Sequence, residues 1–317
     1  MSGKNVTEVV PADADGIARA AAILEAGGLV AVPTETVYGL AARADSPEAV
    51  AKIYAAKGRP DFNPLIVHVH GIKQAEELAD FDDRARDLAQ RFWPGPLTLV
   101  LPLRKGARVA SAVTAGLSTI ALRQPAHRVM RSVLETTNLP LAAPSANRSE
   151  HLSPTQADHV AQSLGEKCPL VLDGGSSREG LESTIVALRD EDHWSLLRPG
   201  PVTSETLERI LGPETDMTGS GIEAPGQLPR HYSPGKPLRL SAKEGEQDEF
   251  FIGFGGIDGD CNLASDADLN NAAARLYDCL HQAAASKQPR IAVAPIPYGE
   301  VGRAINDRLQ RAAIPPD

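Results

Sequence analysis

The sequence predicts an α/β protein that is divided into a large and a small domain. Short apolar runs of strand length alternate with stretches of helical length along most of the 317 residues. Residues 213–240 interrupt this alternation, because they are rich in proline and glycine and lack apolar periodicity. We therefore expect a large domain over 1–212, a linker and candidate lid over 213–240, and a small α/β domain over 241–317.

Composition and charge narrow the class of protein. Hydrophobic residues make up 42% of the chain, which is enough to bury sizeable cores and excludes wholesale disorder. The net charge of −9 argues against a general nucleic-acid binder but allows a local basic cleft for a phosphate-bearing small molecule. No apolar run reaches the roughly 18 residues that span a bilayer, and no secretion signal opens the chain. We expect a cytoplasmic protein without a membrane segment, in which Cys168, Cys261 and Cys279 are reduced, buried thiols.

The first elements carry clear boundary signals. Asp13 or Asp15 caps a helix that ends at a pair of glycines, and Leu29–Val32 then forms a buried strand. Ser46 caps a second helix, and the proline that follows occupies the first turn, where its missing N–H costs nothing. That helix should run to Lys57.

The remaining elements continue the alternation. Short apolar or β-branched runs predict strands at Leu65–Val69, Leu97–Leu101, Ser118–Leu122, Leu139–Ala143, Leu170–Asp173 and Ser183–Leu188. Helical stretches lie around 72–79, 82–92, 126–136 and 154–164. A capping-box pattern that starts at Ser153 opens the last of them. The small domain should form a βαβα unit, with strands at 249–254 and 290–294 and helices near 266–286 and 299–312.

Several well-known catalytic motifs are missing from the sequence. It contains no GxxxxGK[ST] phosphate loop, no HExxH metal helix and no GxSxG nucleophile turn. The glycines from Gly253 onward resemble a dinucleotide fingerprint, but Asp258 replaces the third glycine and would repel a pyrophosphate, so we interpret this segment as a turn. The histidines lack ligand-like spacing, and we expect no metal site built from protein side chains.

Polar and basic side chains gather at the ends of the predicted elements. The turn after the first strand holds three hydroxyls and a carboxylate, and Lys57 and Arg59 lie at a helix end. Arg123 ends one strand, Ser183 opens another, and Arg198 stands in an Arg-Pro-Gly turn. Taken singly, each residue is typical of helix capping or of a solvated surface. As a set they favour one pocket for a phosphate or a carboxylate.

Six short strings occur in an order and spacing that resemble one family. PTETVYGLA is followed by KGRP with NPLIVHV, and then by SAN, STI and LRPG. This combination resembles the YrdC-like threonylcarbamoyl-adenylate synthases over roughly residues 15–210. The linker string Ala224-Pro225-Gly226 with Arg230-His231-Tyr232-Ser233-Pro234 is similar to the segment that joins this domain to a smaller one in the two-domain form of the family.

The resemblance implies a fold and a reaction. The fold is a twisted mixed sheet around a positively charged cavity, followed by a small Rossmann-like α/β domain. The reaction joins L-threonine, bicarbonate and ATP, with Mg2+ bound to the nucleotide, into threonylcarbamoyl-AMP and pyrophosphate. A downstream transferase then uses the product to modify tRNA, with which this chain itself would make at most weak contact.

The resemblance also implies roles for individual residues. Matches to threonine-binding positions are Thr36, His68, Arg123, Ala143 and Ser183. Matches to ATP-binding positions are Arg59, Asn63, Thr119, Ser145, Ser153, Arg198 and Tyr232. Lys57 and Arg59 form the KxR pair, and we expect both to act in catalysis by compensating charge during attack on the α-phosphate.

Two other functions fit some of the same features. A concave, cationic α/β surface could hold RNA without catalysing a reaction, in which case binding would depend steeply on salt and no ATP would be consumed. A YrdC-like domain also occurs in enzymes that form carbamoyl-adenylate from carbamoyl phosphate. The additional acylphosphatase and zinc-finger segments of those enzymes are absent from this sequence.

Overall fold

The computed structural model describes residues 7–189, 193–215, 222–227 and 231–314. These residues form a ten-stranded mixed sheet and a separate four-stranded parallel sheet, each with helices packed against it. The predicted fold class, a mixed α/β domain followed by a small α/β domain, is confirmed. No helix in the described ranges is long and apolar enough to cross a membrane.

The large sheet contains strands from both halves of the first 200 residues. Its strands are β1 Glu8–Pro11, β2 Val30–Val32, β3 Gly39–Arg43, β4 Ile66–His68, β5 Leu97–Pro102, β6 Thr119–Arg123, β7 Leu141–Ala142, β8 Leu170–Asp173, β9 Thr184–Leu188 and β10 Trp194–Arg198. Their order across the sheet is β1-β8-β2-β3-β7-β4-β6-β5-β9-β10. Because β4 pairs in parallel with β6 and antiparallel with β7, residues far apart in sequence meet at the middle of the sheet.

Eight helices accompany this sheet within the described residues. They are α1 Ala14–Glu25, α2 Pro47–Lys57, α3 Ile72–Leu78, α4 Asp83–Phe92, α5 Ser111–Thr114, α6 Arg128–Thr137, α7 Ala157–Leu164 and α8 Ser204–Leu211. The predicted caps of α1 and α2 are confirmed, since Asp13 accepts from the Gly16 amide and Ser46 accepts from the Ala49 amide. Helix α2 ends at Gly58, whose φ of 61° is left-handed.

The capping box predicted at Ser153 is wrong. Helix α7 begins at Ala157, and its N-cap residue Gln156 makes no side-chain capping bond. The Ser153 hydroxyl instead donates to the buried carboxylate of Glu182. A serine can satisfy either partner, and only the tertiary structure decides which one it meets.

Strands β1, β3 and β10 were not predicted. β3 starts inside the segment that the sequence predicted to be a polar turn. Its first residue, Gly39, lies close to Ala143, because a Cβ built on Gly39 would be 3.2 Å from Cβ of Ala143. Strand β10 pairs antiparallel with β9 and brings Arg198 to the end of that hairpin. Because β3 begins at Gly39, the turn after β2 is short, and it joins β2 to β3 inside the sheet.

The small domain is an α/β unit with a parallel sheet. It contains β11 Leu238–Arg239, β12 Glu249–Gly253, β13 Cys261–Asn262 and β14 Arg290–Val293, with helices α9 Leu269–Ala285 and α10 Gly302–Ala312. Both predicted strands and both predicted helices of this unit are confirmed. The segment after β12 is a turn that leads into β13, with a bridge between Phe254 and Ile257, so the dinucleotide fingerprint was rightly rejected.

The prediction of three reduced cysteines is wrong for two of them. Cys261 on β13 and Cys279 on α9 form a disulfide. Cys168 is free and buried. The two bonded cysteines are 18 residues apart, and their meeting depends on how α9 packs on the sheet, which the spacing alone does not indicate.

The two domains are in direct contact beside the large sheet. Gly180 lies so close to α9 that a Cβ on it would be 2.4 Å from the Ala273 carbonyl oxygen, and its φ of 67° also favours glycine. This approach brings Glu182 to Tyr277 and Arg308 of the small domain. Within the linker, 213–215, 222–227 and 231–240 are described, whereas Arg230 of the linker string lies outside the described residues.

Candidate active site

A polar cavity lies where β3, β4, β6 and β7 meet the linker. Its walls include residues from the large domain and from the linker segments 222–227 and 231–240. The predicted site residues that line it are Thr36, Arg59, His68, Arg123, Ala143, Ser145, Ser183, Arg198 and Tyr232. The lining does not include the other predicted site residues, which are Lys57, Asn63, Thr119 and Ser153.

One end of the cavity is built around Arg123, the last residue of β6. Its guanidinium donates to the Gly95 carbonyl over 3.1 Å, to the Thr36 hydroxyl over 2.9 Å and to the Glu35 carboxylate over 2.5 Å. Both charged side chains are almost fully buried, at 4% side-chain exposure each. The bonds fix the plane of the guanidinium, which is the geometry that recognises a carboxylate through two parallel hydrogen bonds.

Glu35 is a site residue that the sequence-based assignment missed. Its second oxygen accepts from the Ala126 and His127 amides at the start of α6, over 3.0 and 3.2 Å. Burial raises the pKa of Glu35, but the charge and hydrogen bonds of Arg123 outweigh it, so the net pKa is lowered. Glu35 is therefore ionised and neutralises Arg123. Its position between two threonines in a buried turn was the available signal.

His68 lies next to Arg123 through the parallel pairing of β4 and β6. Burial, followed by the charge of Arg123, lowers the pKa of His68 to about 3, so its imidazole is neutral near pH 7. Within the described chain, its Nδ1 atom is buried without a hydrogen-bond partner. Because a buried ring nitrogen is normally hydrogen-bonded, this atom suits a ligand that bonds to it.

The other end of the cavity carries cations that form no ion pair with a carboxylate of the described residues. Arg59 donates to the carbonyls of Asn63 and Pro64, and Arg198 donates to the carbonyl and hydroxyl of Ser183. Across the described residues, neither guanidinium has an ion-pair partner within 4.0 Å. Burial, together with the charge of Arg198, lowers the pKa of Arg59 to about 10. Two buried cations that repel one another form a site for a polyanion.

Lys57 adds a third buried cation close to this end. Its ammonium donates to the Ser145 carbonyl over 2.6 Å and to the Asn147 carbonyl over 2.5 Å. Burial, and then the charge of Arg59, holds the pKa of Lys57 well below its usual value. Because both acceptors belong to the loop after β7, Lys57 fixes the loop that presents Ser145 to the cavity.

Asn63, Thr119 and Ser153 surround the cationic end without lining the cavity. Asn63 is buried, and within the described chain its Oδ1 atom has no hydrogen-bond partner. Thr119 begins β6. Because β4 and β6 pair in parallel with Ile66 opposite Ala121, Thr119 lies beside the residues that precede β4. Ser153 is completely buried and bonds to Glu182, a cavity residue that sequence analysis also missed.

The linker closes one side of the cavity. Pro225, Gly226, His231 and Tyr232 belong to the lining, and a Cβ on Gly226 would lie 3.0 Å from Cδ of Arg198. Burial lowers the pKa of His231 to about 3, and its Nδ1 atom has no partner among the described residues. The His231 and Tyr232 rings are in contact, with centroids 3.9 Å apart. The linker thus supplies polar groups to the cavity besides covering it.

Two protein-family models match this chain. A family model named for Sua5, YciO and YrdC, and described as telomere recombination, matches residues 22–200. The chain belongs to the Sua5–YciO–YrdC family. A second model, described as the C-terminal domain of threonylcarbamoyl-AMP synthase, matches residues 202–314. Together the two matches extend over both sheets and the linker between them.

Relatives and solved structures agree with this membership. The chain is 39% identical to a threonylcarbamoyl-AMP synthase of Bacillus subtilis, over 98% of this chain and 96% of the relative. It is 46% identical to a threonylcarbamoyl-AMP synthase of Pyrococcus abyssi over 68% of this chain and 64% of that relative. The crystal structure of P. abyssi Sua5 complexed with L-threonine superposes with a TM-score of 0.88 at 35% identity, covering 97% of this chain and 98% of that one. The family that the sequence strings resemble is thereby confirmed.

Proposed function

We propose that this member of the Sua5–YciO–YrdC family is a threonylcarbamoyl-AMP synthase, which converts L-threonine, bicarbonate and ATP into threonylcarbamoyl-AMP and pyrophosphate. One observation carries the proposal. A single cavity contains a neutralised arginine–carboxylate pair at one end and buried, unneutralised arginines at the other. The first end suits an amino acid and the second suits a polyphosphate. The Bacillus subtilis relative, which matches over nearly the whole chain, has the same activity in its name.

Threonine would bind at the end formed by Arg123. The remaining N–H groups of the Arg123 guanidinium would hold the substrate carboxylate, while the hydroxyls of Thr36 and Ser183 would hold the amine and the side-chain hydroxyl. Ala143 is a small lining residue that leaves room for the substrate. His68 is neutral, so it adds a hydrogen-bonding nitrogen without adding repulsion toward an amine.

ATP would bind at the opposite end, where Arg59 and Arg198 face its phosphates. Ser145 and Tyr232 would add hydroxyl contacts from the cavity wall, and Asn63 would offer its unpartnered amide oxygen. Thr119 and Ser153 lie behind this wall, and we propose that they shape the ATP site through their neighbours. Lys57 would act in catalysis with Arg59, through its charge and through the loop that it holds.

The reaction requires two bond-forming steps. The threonine amine attacks the carbon of bicarbonate and water leaves, which gives threonine carbamate. An oxygen of the carbamate then attacks the α-phosphorus of ATP, and the bond to pyrophosphate breaks. Since the carbamate is already an anionic nucleophile, this step needs alignment and charge compensation more than a strong base. Arg59, Arg198 and Lys57 would provide that compensation.

Mg2+ would enter this site with ATP. No group of three or more His, Cys, Asp or Glu side chains in the described ranges could hold a metal ion. The two carboxylates nearest the cavity, Glu35 and Glu182, are already bonded to arginines. The residues present therefore fit an ion that is held mainly by phosphate and water oxygens. When bound, such an ion would neutralise the leaving pyrophosphate. The chain's own arginines would then hold the remaining negative charge.

The linker would act as a lid, because a carbamate decomposes in water. Its residues His231 and Tyr232 already lie in the cavity wall. We place the lid between a catalytic domain over 1–212 and a small domain over 241–317. The product would pass to a transferase that modifies tRNA, so we place the reaction in the cytoplasm, where ATP and tRNA are available, with at most weak contact to tRNA.

Pyrophosphate release, measured while each substrate is omitted in turn, tests the proposal. We expect release only when L-threonine, bicarbonate and ATP are all present, together with a product of the mass of threonylcarbamoyl-AMP. Release that continues without threonine, or that requires carbamoyl phosphate, would contradict the proposed function. Salt-sensitive RNA binding without any ATP consumption would indicate a binding module instead.

A further inference from the structure

Glu182 is the residue through which the small domain reaches the cavity. It is 6% exposed and belongs to the cavity lining. Its carboxylate accepts hydrogen bonds from the Tyr277 hydroxyl, over 3.0 and 3.1 Å, and from Nε of Arg308, over 2.9 Å. Both donors belong to the small domain, whereas Ser153 of the large domain supplies one further bond. The carboxylate is therefore held mainly by groups from across the domain interface.

The same carboxylate is a close neighbour of the cationic end. Arg198 donates to both the carbonyl and the hydroxyl of Ser183, the residue after Glu182, over 3.0 and 3.1 Å. In the described chain, Glu182 and Arg198 nevertheless form no ion pair within 4.0 Å. Burial raises the pKa of Glu182, but the charges of Arg308 and then of Arg198 lower it to about 2. The carboxylate is thus attracted to two arginines and bonds to one of them.

Arg308 is completely buried and lies outside the cavity lining. Besides Glu182, it bonds to Asp307 over 2.7 Å, and its guanidinium carbon lies 5.4 Å from the ring centroid of Tyr232. It therefore touches two lining residues, the acid and the aromatic ring, from behind the cavity wall. A buried cation in this position does not border the ligand space, and its contacts with the cavity run through the two lining residues that it holds.

We propose that Arg308 is a positioning residue for ATP, which holds the Glu182 carboxylate on the side of the small domain and so keeps the charge of Arg198 available for phosphate. The proposal rests on the proposed function, because it assumes that ATP binds at Arg198. If Arg308 were lost, the nearest cation for the buried carboxylate would be Arg198. An ion pair between these two would remove one of the charges that the triphosphate needs. This assigns the small domain a part in nucleotide binding.

The test is a double-mutant cycle on the full-length protein. Arg308→Met should raise the Kd for ATP, measured by calorimetry, by about tenfold or more. It should change the KM for threonine much less. In Glu182→Gln/Arg308→Met no carboxylate is left to neutralise Arg198, so ATP affinity should return to within about threefold of the unsubstituted protein. Arg308→Lys, which keeps the charge, should lie between the single variant and the unsubstituted protein.

Arg303→Ala is the matched control. Arg303 also lies on α10 and also reaches the large domain, through a 3.0 Å bond to the Ser204 hydroxyl, but it is exposed and remote from the cavity lining. Its substitution should leave the Kd for ATP unchanged. A comparable loss of ATP affinity in Arg303→Ala would indicate that any weakened domain contact suffices, and it would overturn the specific role of Arg308.

Two further results would also overturn the proposal. One is unchanged ATP affinity in Arg308→Met, and the other is a double variant as weak as that single variant, which would make Arg308 a structural support or a direct ligand. If Arg308→Met does not fold in thermal unfolding, Arg308→Lys decides in its place, because unchanged ATP affinity in that variant, or a loss that Glu182→Gln/Arg308→Lys does not restore, would overturn the proposal. Failure of the proposed function looks different, since the unsubstituted protein would then release no pyrophosphate or bind no ATP at all.

Discussion

Replacing Arg59 by methionine should stabilise the unliganded protein while weakening ATP binding. Arg59 is 9% exposed and donates only to two main-chain carbonyls. Its charge is buried beside Arg198, and no carboxylate among the described residues compensates it. Methionine keeps an apolar stem of similar length, so the packing is largely preserved while the charge is lost.

The magnitude follows from the pKa of Arg59. Burial lowers this pKa from 12.5 to about 10, and at about 1.4 kcal/mol per pKa unit the buried charge costs the folded state about 3 kcal/mol. The folded-state pKa is lower than the unfolded one, so this cost is present in full at pH 7 and falls only as the pH rises above 10. Loss of two hydrogen bonds to carbonyls costs about 1 kcal/mol each. The net gain of about 1 kcal/mol should raise the melting temperature by about 2 °C.

Thermal unfolding with and without Mg-ATP measures both effects. The variant should melt higher than the unsubstituted protein in buffer, should gain little on addition of ATP, and should form no product. Arg104→Met is the matched control, because Arg104 is exposed and also donates to a carbonyl, that of Glu76. A variant that melts lower in buffer, or that keeps the full response to ATP, would refute the assignment of Arg59 to an uncompensated anion site.

Four other outcomes follow from the same charges. Arg123→Ala should raise the KM for threonine far more than the KM for ATP, and an equal rise in both would contradict its place at the threonine end. Lys57→Ala should abolish product formation while circular dichroism stays unchanged, and normal turnover would refute its catalytic role. A chain cut after residue 212 should lose most of its activity, since the lid and the small domain are gone, whereas undiminished yield would leave the linker without a function. The free energy of unfolding, measured with urea, should fall as the pH drops from 6.5 toward 4.5, by about 1.4 kcal/mol per pH unit for each imidazole that is buried neutral. A flat profile would contradict the low pKa values, about 3 or about 4, of His68, His159, His231 and His281.

Local signals explain what the sequence could predict. Asp13 and Ser46 cap their helices as expected, because a capping bond involves only neighbouring residues. Short motifs placed Arg123 at a strand end and Arg198 in an Arg-Pro-Gly turn, and both residues line the cavity. The strings that carry the family resemblance are the segments where the chain turns into this cavity. The types of the cavity residues and their order along the chain can therefore be recognised in the sequence.

Long-range contacts explain what the sequence could not predict. Glu182 meets Tyr277 and Arg308, which lie 95 and 126 residues away in the chain. Neither separation nor residue type distinguishes these partners from other Tyr and Arg residues. The same limit applies to Ser153, whose capping pattern was correct locally but whose hydroxyl was taken by Glu182. Interactions between domains decide these cases, and a local pattern contains no information about them.

The distribution of charge in the cavity separates the two substrates. Arg123 and Glu35 neutralise each other, so their end of the cavity offers directed hydrogen bonds with little net charge. In the proposed function, such a site would bind a zwitterion such as threonine and would give no advantage to a polyphosphate. Arg59 and Arg198 keep their positive charge, so their end would attract the triphosphate and repel a free ammonium group. Among the described residues Glu182 is the one acid in the cavity lining, so the arginine to which it bonds would determine whether this separation persists. Arg308 provides that bond from the small domain, and the large domain alone lacks it.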